Sequence, residues 1–221
     1  IRRLVSLLSR LPGVGEKTAQ RYVLHLLTGD SQIAKDLGAE LATLHEDRHL
    51  VVYDKPAGIP VIPGRQGGES LVAITGHLVC HRLDTETSGV LVMAKTTAGQ
   101  RLMNSFFSER RVNKGYLAVC HSGLPDEGVC ELPLGEWHRG RVAIGKGKAS
   151  RTRWTVRERC AGRSLVEAFP ETGRTHQIRA HLSASGGAIE GDPAYGGADT
   201  GRLLLHAWWL ELPWPNATDR L

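Results

Sequence analysis

The sequence predicts an α+β fold, with a mixed and largely antiparallel sheet, flanking helices and a small helical hairpin segment at the N-terminal end. Two observations predict it. Apolar residues recur at helical spacing up to about residue 46 and thereafter in short extended runs. Those runs are interspersed with helices but seldom in repeated βαβ order, which argues against a parallel doubly wound sheet.

Residues 1–28 read as two helices. Leu4, Leu7, Leu8 and Leu11 fall on one helical face, Pro12-Gly13 stops the pattern, and a second helix is predicted over 16–27. A third helix is predicted over 31–46 through Ile33, Leu37, Leu41 and Leu44, and the charged run Glu46-Asp47-Arg48-His49 marks a boundary. The chain is thus expected to comprise a helical segment, 1–46, and a second domain, 47–221. In the latter, strands are predicted at 50–53, 90–94, 116–120 and 203–212, a strand pair at 151–157 and 165–169, and helices at 97–110 and 175–185.

With 221 residues, 41% hydrophobic and 23% charged, the composition is globular, and no apolar run approaches the ~18–20 residues of a membrane helix. Ile1-Arg2-Arg3 opens no signal-peptide pattern, so a soluble cytoplasmic protein, working as a monomer, is expected. Cys80, Cys120, Cys130 and Cys160 form no C-x-x-C pair, and His81, His176 and His206 lie in separate blocks without H-E-x-x-H spacing, so no metal site is expected. Gly64 to Gly68 lack the G-K-[ST] of a phosphate-binding loop.

The net charge of +5 is unevenly spread. From Trp137 to Arg163, nine basic residues (Arg139, Arg141, Lys146, Lys148, Arg151, Arg153, Arg157, Arg159 and Arg163) face one acid, Glu158. Polar and apolar residues alternate around Trp154 and Val156, so Arg151 and Arg153 should share a face of a basic ridge suited to phosphates, with Trp137 or Trp154 available to stack on a base if exposed.

The chemistry-bearing stretch is His81-Arg82-Leu83-Asp84-Thr85-Glu86-Thr87-Ser88-Gly89, a polar turn leading into an apolar strand. Loops mounted on rigid strands commonly carry sites, although Asp84 could equally cap a turn. Its wording, H-R-L-D-x-x-T-S-G, resembles the signature of the RluA-type pseudouridine synthases. Further blocks resemble that family in order: Asp54-Lys55-Pro56-Ala57-Gly58, Lys114-Gly115-Tyr116-Leu117-Ala118, Gly173-Arg174-Thr175-His176-Gln177-Ile178-Arg179, and Gly191-Asp192-Pro193-Ala194-Tyr195-Gly196. Around Leu11-Pro12-Gly13-Val14-Gly15 the chain resembles the helix-hairpin-helix of RecR recombination proteins, without their four-cysteine zinc motif. Such a hairpin can make a weak phosphate contact.

The resemblance implies an antiparallel mixed sheet around a cleft, an RNA partner (rRNA or tRNA), and isomerisation of uridine with no cofactor. It implies that Asp84 is catalytic, that Arg179 is its cationic partner, and that Tyr116 packs on the target base and helps remove its C5 proton. Arg82 would fill the gap left by the flipped nucleotide, and His81, Arg174, His176 and Gln177 would contact RNA, as Arg151 and Arg153 are expected to do from the basic ridge. One departure stands out: the stretch between Ser70-Leu71 and Cys80 is short where the family has a helix, which is expected to loosen the support beneath Asp84. A non-catalytic nucleic-acid-binding protein derived from such a domain is the competing expectation.

Overall fold

The structure is a computed structural model that describes residues 5–6, 8–9, 15–28, 32, 49–64 and 67–213. The chain divides into two compact units, Ile1–Arg48 and His49–Leu221. In the first, helix α1 spans Glu16–Thr28 and buries Ala19 and Val23, one turn apart, while Lys17 and Arg21 are exposed. Residues 5, 6 and 8 of the helix predicted before it are helical; the Pro12-Gly13 turn and, apart from helical Gln32, the third predicted helix lie outside the described residues. Among the described residues no helix is long and apolar enough to cross a membrane.

The second unit is built on strands β1 (Leu50–Lys55), β2 (Leu78–Val79), β3 (Ser88–Ala94), β4 (Asn113–His121), β5 (Glu127–Cys130), β6 (Leu134–His138), β7 (Arg141–Ile144), β8 (Thr152–Cys160), β9 (Arg163–Pro170) and β10 (Leu205–Glu211). Its main sheet runs β1-β3-β10-β4-β9-β8-β5 with β2 against β3, and every pairing is antiparallel except β3 with β10. Leu91, Val92, Met93 and Ala94 of β3 are all buried because both faces of this strand are covered. Helix α3 (Thr97–Ser108) lays Met103 and Phe106 against Val92 and Ala94, while Val61, Leu71 and Leu83 pack on Leu91 and Met93. Further along the sheet, Ile178 and Leu182 of helix α4 (Gln177–Ala184) pack with Trp154 and Val166.

The parallel pairing explains a sequence feature. Ala207 of β10 pairs with Gly89 so closely that a Cβ there would collide with the Ala207 backbone, and Gly89 also adopts φ 111°, so glycine is required.

The segment before Cys80, expected to lack a helix, holds the short helix α2 (Leu71–Thr75). Ser70 caps it by accepting from the Ala73 N–H, and Gly76 closes it in the left-handed conformation at φ 70°. Its Leu71 packs in the same cluster as Leu83, the neighbour of Asp84, so the support expected to be loose is a packed core. The hairpin β6–β7 was not apparent in the sequence. It forms a separate two-stranded sheet whose Leu134 and Val142 pack on Ala180 and Tyr195.

Candidate active site

Asp84 sits in a turn held from three sides. The Thr87 N–H donates to its carbonyl at 3.1 Å, and the next carbonyl, Thr85, accepts from the Gly58 N–H and from Lys55 Nζ, both at 2.9 Å. Lys55 is fully buried and also donates to the carbonyls of Pro56 and Ile59 at 2.8 Å. Three carbonyls thus satisfy the three donors of one ammonium and pin the 56–59 loop to the Asp84 turn. Burial lowers the Lys55 pKa, against which the charges of Glu86 and Asp84 act.

His81 serves the same scaffold. Its Nε2 accepts the Val92 N–H at 3.0 Å and its ring lies against Phe107. Burial, reinforced by Lys114, pushes its pKa down to about 4 from the ordinary 6.5. A group whose folded pKa is depressed gives stability that is complete above the unfolded pKa and is lost as pH falls towards the folded one. Wild type should therefore lose about 3 kcal/mol between pH 7 and 4 that His81→Gln does not lose, as read from urea unfolding at each pH. Equal pH dependence of the two proteins would refute this.

Helix α4 supplies the cationic wall. Arg179 Nε and Nη2 donate to the two carboxylate oxygens of Asp192 at 2.7 and 2.8 Å, and its Nη1 lies 3.5 Å from Asp84 Oδ2. Burial would lower the Arg179 pKa, but the Asp192 hydrogen bonds outweigh it and the net shift is upward. The arginine expected to pair with Asp84 is therefore anchored in a forked pair with buried Asp192 and offers Asp84 its remaining nitrogen. Its guanidinium also lies over the Tyr195 ring, 5.1 Å from the centroid.

His176 precedes the helix in the left-handed conformation, φ 53°, which aims its Nε2 to within 3.9 Å of Asp84 Oδ2. Its Nδ1 is 3.1 Å from the Tyr195 hydroxyl, which accepts the Val142 N–H at 2.8 Å. Burial lowers the His176 pKa; Asp84 opposes this and Arg179 adds to it.

Asp84, Tyr116, Arg174, His176 and Arg179 line one cleft of about 610 Å³, with exposed Arg82 also on its wall. Burial, and secondly the Asp84 charge, raise the Tyr116 pKa, so its hydroxyl remains a neutral phenol. Arg174 reaches the Ala149 carbonyl at 3.2 Å. Gln177, expected at the RNA, also borders this cleft, with its amide engaged by the protein. Its Oε1 accepts from Thr172 Oγ1 and the Arg174 N–H, and its Nε2 donates to the Arg151 carbonyl and Thr152 Oγ1. This buried amide, with its donors and acceptor all engaged, clamps the loop before α4.

The cations of the basic ridge are largely paired with carboxylates. Arg151 and Arg153 do share a face, but both bind Glu171, and Arg151 also binds Glu131. Arg157 pairs with Glu167, Arg159 with Asp126 and Arg163 with Glu190, acids supplied by other elements. A bulge between Val156 and Glu158 ends the simple alternation of β8. Trp154 is buried, whereas Trp137 is 57% exposed on hairpin β6–β7. On that hairpin and its flank, Arg139, Arg141, Lys146 and Lys148 are exposed, and among the described residues no carboxylate pairs with them.

Asp192, Tyr195 and Lys55 hold the site, yet the sequence singled out none of them for a role. The signal lay in the blocks Asp54–Gly58 and Gly191–Gly196, but which partner each residue serves depends on contacts across the fold.

Residues 49–184 match the family model described as RNA pseudouridylate synthase, and residues 1–45 match that of the RecR helix-hairpin-helix. The chain is 38% identical to ribosomal large subunit pseudouridine synthase D of Nitrosomonas europaea, over 80% of this chain and 59% of that protein, so it spans about three fifths of that relative's length. It is 36% identical to the dual-specificity RNA pseudouridine synthase RluA of Yersinia pestis, over 80% of this chain and 94% of that one. Among solved structures it is similar to human RNA pseudouridylate synthase domain containing 1, with 28% identity, a TM-score of 0.67, and coverage of 79% of this chain and 78% of that one. With its sheet, its cleft and the match over residues 49–184 agreeing, this chain belongs to the RNA pseudouridylate synthase family.

Proposed function

We propose that this chain isomerises uridine to pseudouridine in rRNA or tRNA. The observation that carries the reading is the convergence of Asp84, Arg179 and Tyr116, from three separate parts of the chain, on one cleft. The reaction breaks the C1′–N1 bond, turns the uracil and joins C1′ to C5; the C5 proton leaves, N1 gains a proton, and no electrons are exchanged with another molecule. Asp84 starts it as a carboxylate, either by attack at C1′ or by taking a proton from C2′. Arg179, fixed by Asp192, holds a cation beside that carboxylate, which favours the ionised form.

Tyr116 offers its ring plane to the uracil. Burial, and secondly the Asp84 charge, keep it a phenol, so it can take up the C5 proton only while its own hydroxyl proton passes on to solvent or to N1, which gains a proton in the reaction. Arg82, exposed on the cleft wall, would enter the gap left by the extruded nucleotide, offsetting part of the few kcal/mol of lost stacking. Tritium release from RNA carrying [5-³H]uridine tests the reading: release by wild type supports it, while RNA binding without release supports a non-catalytic binding protein instead.

The hairpin β6–β7, with exposed Trp137 and its unpaired cations, is our choice for the outer RNA surface. The N-terminal segment has six basic residues against five acids and should add only a weak interaction. Removing one cation from a phosphate flattens the salt dependence of binding by about 0.7–0.9. Arg141→Ala with Lys146→Ala should flatten it by about 1.4–1.8, whereas Arg151→Ala with Arg153→Ala should change it little, because Glu131 and Glu171 already neutralise that pair. Titration of rRNA at several salt concentrations reads both, and the reverse ranking would move the RNA surface to β8.

A further inference from the structure

Lys114 is an ammonium that the catalytic chemistry leaves unused. It lies two residues before Tyr116 on β4, so both side chains project from one face about 7 Å apart along the strand. It is partly buried, and among the described residues no carboxylate pairs with it; its Nζ reaches the Thr172 carbonyl at a long 3.5 Å. Burial lowers its pKa, as expected of a cation without a counter-charge.

Lys114 also stands at a junction. Beside the catalytic cleft lies a second groove of about 530 Å³, and the two share Arg110, Val112, Lys114, Pro170 and Glu171. The groove continues past half-buried Phe169 and Trp209, whose ring centroids are 6.2 Å apart. Of its acids, Glu171 holds Arg151 and Arg153, the latter lying over the Phe169 ring at 5.6 Å, while Glu211 accepts from the neutral Asn113 amide at 2.7 Å and keeps its charge. Where the groove joins the catalytic cleft, the charges not paired within it are Arg110 and Lys114, both positive, and with aromatic rings farther along the groove this is the pattern of a single-strand path.

We infer that Lys114 binds the backbone phosphate of the substrate RNA where the strand leaves the catalytic cleft, and that the groove under Phe169 and Trp209 seats the nucleotide next to the target uridine. This rests on the uridine-isomerase reading. The two-residue offset from Tyr116 is comparable with the reach of one nucleotide of extended backbone, so a base lying on Tyr116 brings a neighbouring phosphate to Lys114.

The test uses the full chain and a synthetic single-stranded RNA with one uridine, made as a series in which each phosphate in turn is replaced by a neutral methylphosphonate. With wild type, neutralising one linkage beside the uridine should weaken binding about tenfold. Lys114→Met should bind the unmodified RNA about tenfold more weakly, show a salt slope lower by about 0.7, and lose sensitivity to that linkage alone; Lys114→Arg should restore it. Lys114→Met with the parent's affinity, or with weaker binding but unchanged sensitivity at every linkage, would overturn the inference. Tritium release by wild type is measured in parallel, so failure of the isomerase reading is seen separately from failure of the Lys114–phosphate pairing.

Discussion

Asp84→Asn is expected to lower pseudouridine formation by about four orders of magnitude while leaving fold and RNA binding nearly unchanged. The amide keeps the size of the carboxylate and its place in the turn, since that turn is held by the backbone of residues 84, 85 and 87 and by Lys55, none of which depends on the Asp84 side chain. It lacks the negative oxygen needed to attack C1′ or to take a proton from C2′. Single-turnover tritium release measures the loss, and turnover within tenfold of wild type would remove Asp84 from the chemistry.

The second large effect is expected at Asp192, a residue that does not itself line the cleft. Asp192→Asn removes the negative half of a buried pair and leaves Arg179, 12% exposed, with a neutral partner. Breaking such a pair costs about 3–5 kcal/mol, so the variant should unfold at clearly lower urea. It should also lose turnover under conditions where it remains folded, because Arg179 is no longer held with its free nitrogen towards Asp84. Arg179→Lys separates the two consequences: one charge is kept, but an ammonium cannot fork onto Asp192 and reach Asp84 as well. An Asp192→Asn protein with wild-type turnover would show that Arg179 needs no such anchor.

Much of the fold was legible because hydrophobic period distinguishes strands from helices wherever an element is long. The pair β8 and β9 and helices α3 and α4 were expected to within a few residues. What escaped were short elements whose existence depends on partners: α2 has five residues and rests on one buried leucine, and β6–β7 is stabilised by packing on Tyr195. The partners of the charged side chains were hidden for a related reason. A window from Trp137 to Arg163 counts only its own acids, whereas Glu131, Glu171, Glu167, Asp126 and Glu190 come from outside it or from the strand paired with it.

The site divides in the same way. Resemblance at three separate blocks picked out Asp84, Tyr116 and Arg179, and the sheet order β3-β10-β4-β9 is what brings the strands leading to them together. Which way a polar side chain turns was not readable. Gln177 and His81 stand in blocks that suggest a ligand, yet each spends its hydrogen bonds on the backbone or side chains of its own fold.

Conversion of uridine to its C-linked isomer within RNA is tested most directly by incubating wild type with [5-³H]uridine-labelled rRNA and tRNA, digesting to nucleosides and separating them by liquid chromatography with mass detection. A pseudouridine peak of the same mass as uridine should grow as uridine falls, with one tritium released per labelled uridine converted. A folded, RNA-binding wild type that yields no pseudouridine from either RNA would contradict the assignment.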